Sequence, residues 1–271
     1  MIRLPMRLPI RVPMRSPMLR KALLAGALSC LISMSSTAAL AQDYPFQGLS
    51  TSFAINELHG AVLNSAQRDD DAGSRRASPG NAAGASRAAG SAPGVSARVN
   101  LYTPSPVVRR QVEAQVTQAV ASKDPAAARQ LADALRKQDF IALFDQALRP
   151  MGLQSGNVVD VLTAYWLAMW GAANDYRGPP ARADVQAVRA QVANSFDASR
   201  AGLTTDAKRQ EFAETLILRA VLMDSAVDTA QKSGKAGVVK QLGDAAQREL
   251  LQNGIDLRSL DFTSRGLVAR R

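Results

Sequence analysis

Asp160 and Glu214 are acidic side chains set within the two most apolar stretches of a 271-residue chain. Besides aromatic rings, residues 158 to 173 carry only Asp160 and Thr163 as polar side chains, and residues 212 to 223 only Glu214, Thr215 and Arg219. Burial penalises the charged form of a carboxylate and raises its pKa, which suits a general acid. An architectural role is equally open to each. If Asn157 is an N-cap, Asp160 falls at N3, where a carboxylate satisfies free backbone N–H groups and complements the helix dipole. Glu214 would then meet a partner on a neighbouring helix, such as Arg189 or Tyr165.

The rest of the catalytic inventory is thin. His59 is the one histidine, and the one cysteine, Cys30, lies in the apolar run near the N-terminus. A Ser-His-Asp triad, a cysteine nucleophile and an ordinary zinc site therefore lack their residues. Asp69-Asp70-Asp71 lacks the alternating ligands and distant glutamate of a calcium loop. No glycine-rich turn joins a strand to a helix as phosphate binding requires. The reading predicts no cofactor and no metal.

For recognition, the richest material in a chain that is 5% aromatic is the cluster Tyr165, Trp166, Met169 and Trp170. Residues 166 and 170 lie one helical turn apart, and 165 and 169 lie on the adjoining side. Facing a groove, these rings could stack on a sugar or clasp an apolar peptide; facing inward, they are core. Tyr165, Trp166, Trp170 and Asn157 are the ligand-binding candidates, and Glu214 and Asp160 the catalytic ones.

These residues need helices to position them, and start and stop signals divide residues 98 to 263 into a run of them. Pro104 and Pro106 lead into a helix to about residue 122. Asp124 with Pro125 at N1 opens a second to about 137, and Asp139 caps a short third that ends near Gly152. A helix over 157 to 174 stops at Gly178-Pro179-Pro180. The spacing of Val185, Val188, Val192 and Phe196 predicts another over 181 to 198. Thr204 or Thr205 opens the longest, to about 232, and a last one over 236 to 253 ends at Gly254. The expected fold is an all-α bundle of about six to seven helices, its two apolar helices central. Residues 255 to 262 could pair with 101 to 103 as a very small edge sheet, and 264 to 271 read as a basic tail.

The first 41 residues hold six basic side chains and no acid, then an apolar run over 22 to 34, then Ala39-Leu40-Ala41. That order predicts a signal peptide cleaved after Ala41 and a periplasmic or secreted product without cysteine. Prolines at 5, 9, 13 and 17 bar a helix before Met18, and translation from Met18 would leave a compact basic n-region. Cys30 could alternatively carry a lipid, although Ala27-Leu28-Ser29 is a poor lipobox. Residues 42 to 67 hold one short amphipathic stretch. Residues 68 to 97, rich in Ala, Gly and Ser, cannot bury enough surface to offset ordering and read as a disordered linker. The formal net charge of +10 falls to +4 once the signal is removed, and no basic stripe with interleaved aromatics remains. Nucleic acid is excluded as the main partner, and neither apolar stretch reaches the roughly 20 residues of a stable transmembrane anchor.

Several stretches carry a resemblance: Leu101-Tyr102-Thr103-Pro104-Ser105-Pro106, Gly156-Asn157-Val158-Val159-Asp160 with Ala164-Tyr165-Trp166, Gln186-Ala187-Val188-Arg189, and Ala213-Glu214-Thr215-Leu216-Ile217. Through them the chain resembles a bacterial family of exported proteins known only as a domain of unknown function. The resemblance implies export and a domain over about residues 98 to 263, and implies no activity or site residue.

The catalytic gaps and the linker together predict a non-enzymatic binding or interaction module of the cell envelope, its partner an envelope protein or a glycan. One alternative is a carboxylate-dependent glycan hydrolase or lyase using Glu214 and Asp160, which requires both on one solvent-reaching cleft. Another is a secreted effector whose apolar helices meet a membrane.

Overall fold

The computed structural model describes residues 100–196, 198 and 201–270, and its regular elements are seven α-helices and one β-hairpin among those residues. Residues 1 to 41, read as a signal peptide, residues 42 to 67 with His59, and residues 68 to 97, read as a linker, lie outside the described residues. Helix α1 is Pro106–Ala121, α2 Pro125–Lys137, α3 Phe140–Leu148, α4 Val158–Ala173, α5 Arg182–Ser195, α6 Asp206–Lys232 and α7 Ala236–Gln252.

The predicted caps form. Asp124 accepts from the N–H groups of Ala126 and Ala127 with Pro125 at N1, Asp139 accepts from Ala142, and Thr205 from Lys208. Each cap satisfies a helix donor left without an internal partner and stabilises by about 1 kcal/mol. A 3-10 turn, Arg149–Met151, extends α3 until Gly152 reverses the chain at φ 74°, a conformation that needs no Cβ.

Helix α4 is the axis of the bundle, packed against α6, α7 and α5, while α1 lies on α6 and α2 lies on α1. Its low polarity has two causes. Twelve of its 16 residues are buried, and the other four, Ala164, Leu167, Ala168 and Gly171, are half-buried along a single stripe at i, i+3, i+4, i+7. The first half of α6 is likewise interior, with Phe212, Ala213, Leu216, Ile217 and Ala220 buried. Among the described residues no helix is long and apolar enough to cross a membrane.

Three expectations are corrected at the edges. Residues 255 to 262 do not pair with 101 to 103. Strand β1, Leu260–Thr263, instead pairs antiparallel with β2, Gly266–Ala269. Leu101 forms an isolated bridge to Asn157, because the chain before α1 is tied to the start of α4: Val158 donates to Asn100 O and Tyr102 to Gly156 O. The residues read as a basic tail thus supply a strand, with Leu267 buried and Gly266 taking the turn at φ 96°. Helix α5 ends at Ser195 with Phe196 as its C-cap, short of residue 198.

Candidate functional site

Asp160 is 3% exposed. Its Oδ1 accepts from Arg189 Nε at 2.6 Å and its Oδ2 from the Gln154 N–H at 3.0 Å. Burial pushes its pKa up, against the opposing pull of the Arg189 guanidinium and the Gln154 N–H. Asn157 is spent as the N-cap, its Oδ1 accepting from Val159 N at 2.9 Å. Both side chains therefore fix the turn into α4 and its contact with α5.

Glu214 is 1% exposed and meets neither Arg189 nor Tyr165. Its partners are Arg109 of α1, whose Nη2 donates to Oε1 at 2.9 Å, and Gln210 Nε2 at 3.1 Å one turn earlier. Arg109 also reaches Asp139 at 3.0 Å, so one guanidinium ties α1 to α6 and to the cap of α3. Arg189 is taken by Asp160, and Tyr165 by a residue absent from the sequence reading, Glu249 of α7. Asp160 and Glu214 are each closed off by an arginine and neither lines the cavity described below, so together they do not form the paired carboxylates of a glycosidase cleft.

The aromatic cluster divides. Tyr165 is wholly buried, its hydroxyl donating to Glu249 Oε1 at 2.5 Å, with the Arg219 guanidinium 5.5 Å from its ring centroid and ion-paired to the same carboxylate. Trp166 and Met169 are core. Trp170 differs. Its Nε1–H donates to Leu260 O at 2.9 Å, which turns the ring toward Tyr176 and Phe262, with centroids 5.3 Å and 5.6 Å away.

These three rings close one side of a cavity of about 340 Å³. Its floor is the half-buried stripe of α4, Ala164, Leu167, Ala168 and Gly171. One wall is Phe144, Ala147 and Leu148 of α3 with Met151 and Leu153, and the other is Ala220, Val221 and Val227 of α6. Polar groups gather on the α6 side and at the mouth: Asp224, Asp228, Gln231 and Arg177. Such a volume lies at the small end of ligand pockets, and an apolar lining with a few polar groups is their usual character. Among the described residues no group of histidine, cysteine or carboxylate side chains is arranged to hold a metal ion.

Of the sequence candidates, then, Trp170 lines the cavity and the other five do not. Tyr176, Phe262 and Asp228 were missed. Tyr176 precedes the Gly178-Pro179-Pro180 turn, and composition did not set the α4 stripe apart from the rest of an apolar helix. A model of a family of unknown function (DUF6683) matches residues 18–270. No curated protein and no solved structure matches the chain.

Proposed function

The chain belongs to this family of unknown function, and we propose that its helical domain is a non-enzymatic binding module of the bacterial cell envelope that takes an apolar ligand in the cavity beside Trp170. One observation carries the reading. The stripe Ala164, Leu167, Ala168, Gly171 is apolar although it is only half-buried, because it faces the cavity. A helix side turned to water is ordinarily polar, so this stripe is suited to an apolar occupant. A glycan fits less well, since its hydroxyls need hydrogen-bonding partners along their length and the α3 and α4 walls supply none through side chains.

Export supports the envelope setting: a basic, apolar and small-residue succession precedes Gln42.

Purified protein titrated with N-phenylnaphthylamine, an uncharged apolar dye, is expected to give saturable fluorescence enhancement. Ala168→Trp, which fills the floor, is expected to abolish it while leaving the helical circular dichroism and thermal transition in place. Absence of saturable binding by the parent protein overturns the ligand site. Turnover of cell-wall glycan that disappears in a folded Glu214→Gln variant overturns the non-enzymatic reading. Fractionation of an expressing bacterium tests export, with a processed N-terminus expected at Gln42.

A further inference from the structure

We infer that the cavity's ligand is a cationic amphiphile, its apolar chain along the α4 stripe and its ammonium head at Asp228. The inference rests on the apolar site proposed above and adds the chemistry of the head group.

Asp228 is 6% exposed, and it lines the cavity. Its Oδ2 is out of water. Its counter-ion is the ammonium of Lys232, 2.7 Å from that oxygen on a side chain that is 60% exposed. A carboxylate held this way offers a desolvated negative charge whose present counter-ion can swing into solvent. An ammonium carried by a ligand bound in the cavity would take its place at little cost, because Lys232 regains full hydration.

The rest of the mouth favours the same sign. Arg177 is paired with Asp175 through Nε at 3.3 Å and Nη2 at 2.8 Å, which offsets its charge toward an anionic head. Gln231 donates to Asp175 at 3.0 Å, which brings the carboxylate side of α6 to the loop that carries Tyr176. Tyr176 is 40% exposed, and with Trp170 and Phe262 it supplies ring faces, whose negative quadrupoles attract a cation and suit alkylammonium groups.

The test uses three probes sharing one dodecyl chain, each below its micelle concentration, titrated calorimetrically into the full-length protein: dodecyltrimethylammonium, dodecanol and dodecyl sulfate. The ammonium is expected to bind about tenfold more tightly than the alcohol, and the sulfate more weakly than either. Asp228→Asn should remove the ammonium's advantage over dodecanol. Should that variant fold poorly, Tyr176→Leu on the exposed loop keeps apolar area and should weaken the ammonium about threefold more than it weakens dodecanol. Equal affinity for all three probes, or tightest binding of the sulfate, overturns the head-group assignment while the apolar site stands. Failure of all three to bind removes the site itself.

Discussion

The Tyr165 hydroxyl donates to Glu249 Oε1 at 2.5 Å between two buried side chains, and the Arg219 guanidinium pairs with the same carboxylate. Three helices meet there, α4, α6 and α7, so this polar knot sets their mutual rotation. Glu249→Gln removes the charge opposite Arg219 inside the bundle and is expected to cost about 3–5 kcal/mol. Tyr165→Phe removes one hydrogen bond and should cost about 1–2 kcal/mol. Because both changes strike one network, the double variant should lose less than the sum. Urea unfolding of the three variants measures each quantity, and strict additivity would mean the two residues act independently.

Asp145 and Asp160 hold neighbouring residues of the same loop, Ser155 and Gln154, yet titrate in opposite senses. Burial alone would raise Asp145, but hydrogen bonds from the Ser155 N–H and hydroxyl, and from Arg149, bring it below the ordinary value of 3.8. A lowered folded value means the folded state binds fewer protons than the unfolded one. Its stabilisation is therefore complete above 3.8 and is lost as pH falls through the folded value. Asp160 is raised above 3.8, so its share is complete below that value and is lost as pH rises through the folded value. The stability gap between parent and Asp145→Asn should thus close in acid, whereas the gap for Asp160→Asn should be widest in acid and narrow toward neutrality. Urea midpoints across this range decide it, and parallel curves for the two variants would contradict the assignment.

Most of the fold was legible because its signals are local. Caps at Asp124, Asp139, Asn157 and Thr205, and left-handed glycines at 152 and 254, act within a few residues of their own helix. The partners of Glu214 and Tyr165 were not legible, since Arg109 and Glu249 stand 105 and 84 positions away and any basic or acidic residue would have satisfied the sequence pattern. The hairpin was missed for a related reason: a turn and two four-residue strands carry little periodicity, and three nearby arginines made the segment look like a tail. The cavity was half legible. Composition revealed a helix with no polar face but could not say which stripe lacked a neighbour.

Gly243 and Gly237 both lie in α7, and they predict opposite outcomes for the same substitution. A Cβ on Gly243 would sit 2.7 Å from the carbonyl oxygen of Ala172, where α7 crosses α4 backbone to backbone. Gly243→Ala gains about 1 kcal/mol of helix propensity, but pushing two packed helices apart costs about 1–3 kcal/mol and more than offsets it. Gly237 faces open space, so Gly237→Ala keeps only the gain. Thermal melts of the two single variants should move in opposite directions, the first down and the second up.

Gln210 bears on the Leu101 to Pro106 signature, because it is the residue that holds this extended stretch against the bundle. Wholly buried, its Oε1 accepts from the Ser105 N–H at 2.7 Å while its Nε2 donates to Ser105 O at 2.9 Å and to Glu214 Oε1 at 3.1 Å. One amide thereby satisfies both backbone groups of a residue that Pro104 and Pro106 keep out of regular structure. Asp206 and Arg209 add bonds to Thr103 N and Leu101 O nearby. Gln210→Ala takes the partner from the half-buried Ser105 N–H, although Ser105 O keeps the Arg109 N–H, and should cost about 1–3 kcal/mol. Gln210→Glu should be no better, since it sets a second carboxylate beside Glu214. The loss should be local first, with faster hydrogen exchange at the Ser105 amide and new protease cleavage between residues 100 and 106, before any shift of α7. Unchanged exchange at Ser105 in Gln210→Ala would mean that the prolines alone hold the stretch in place.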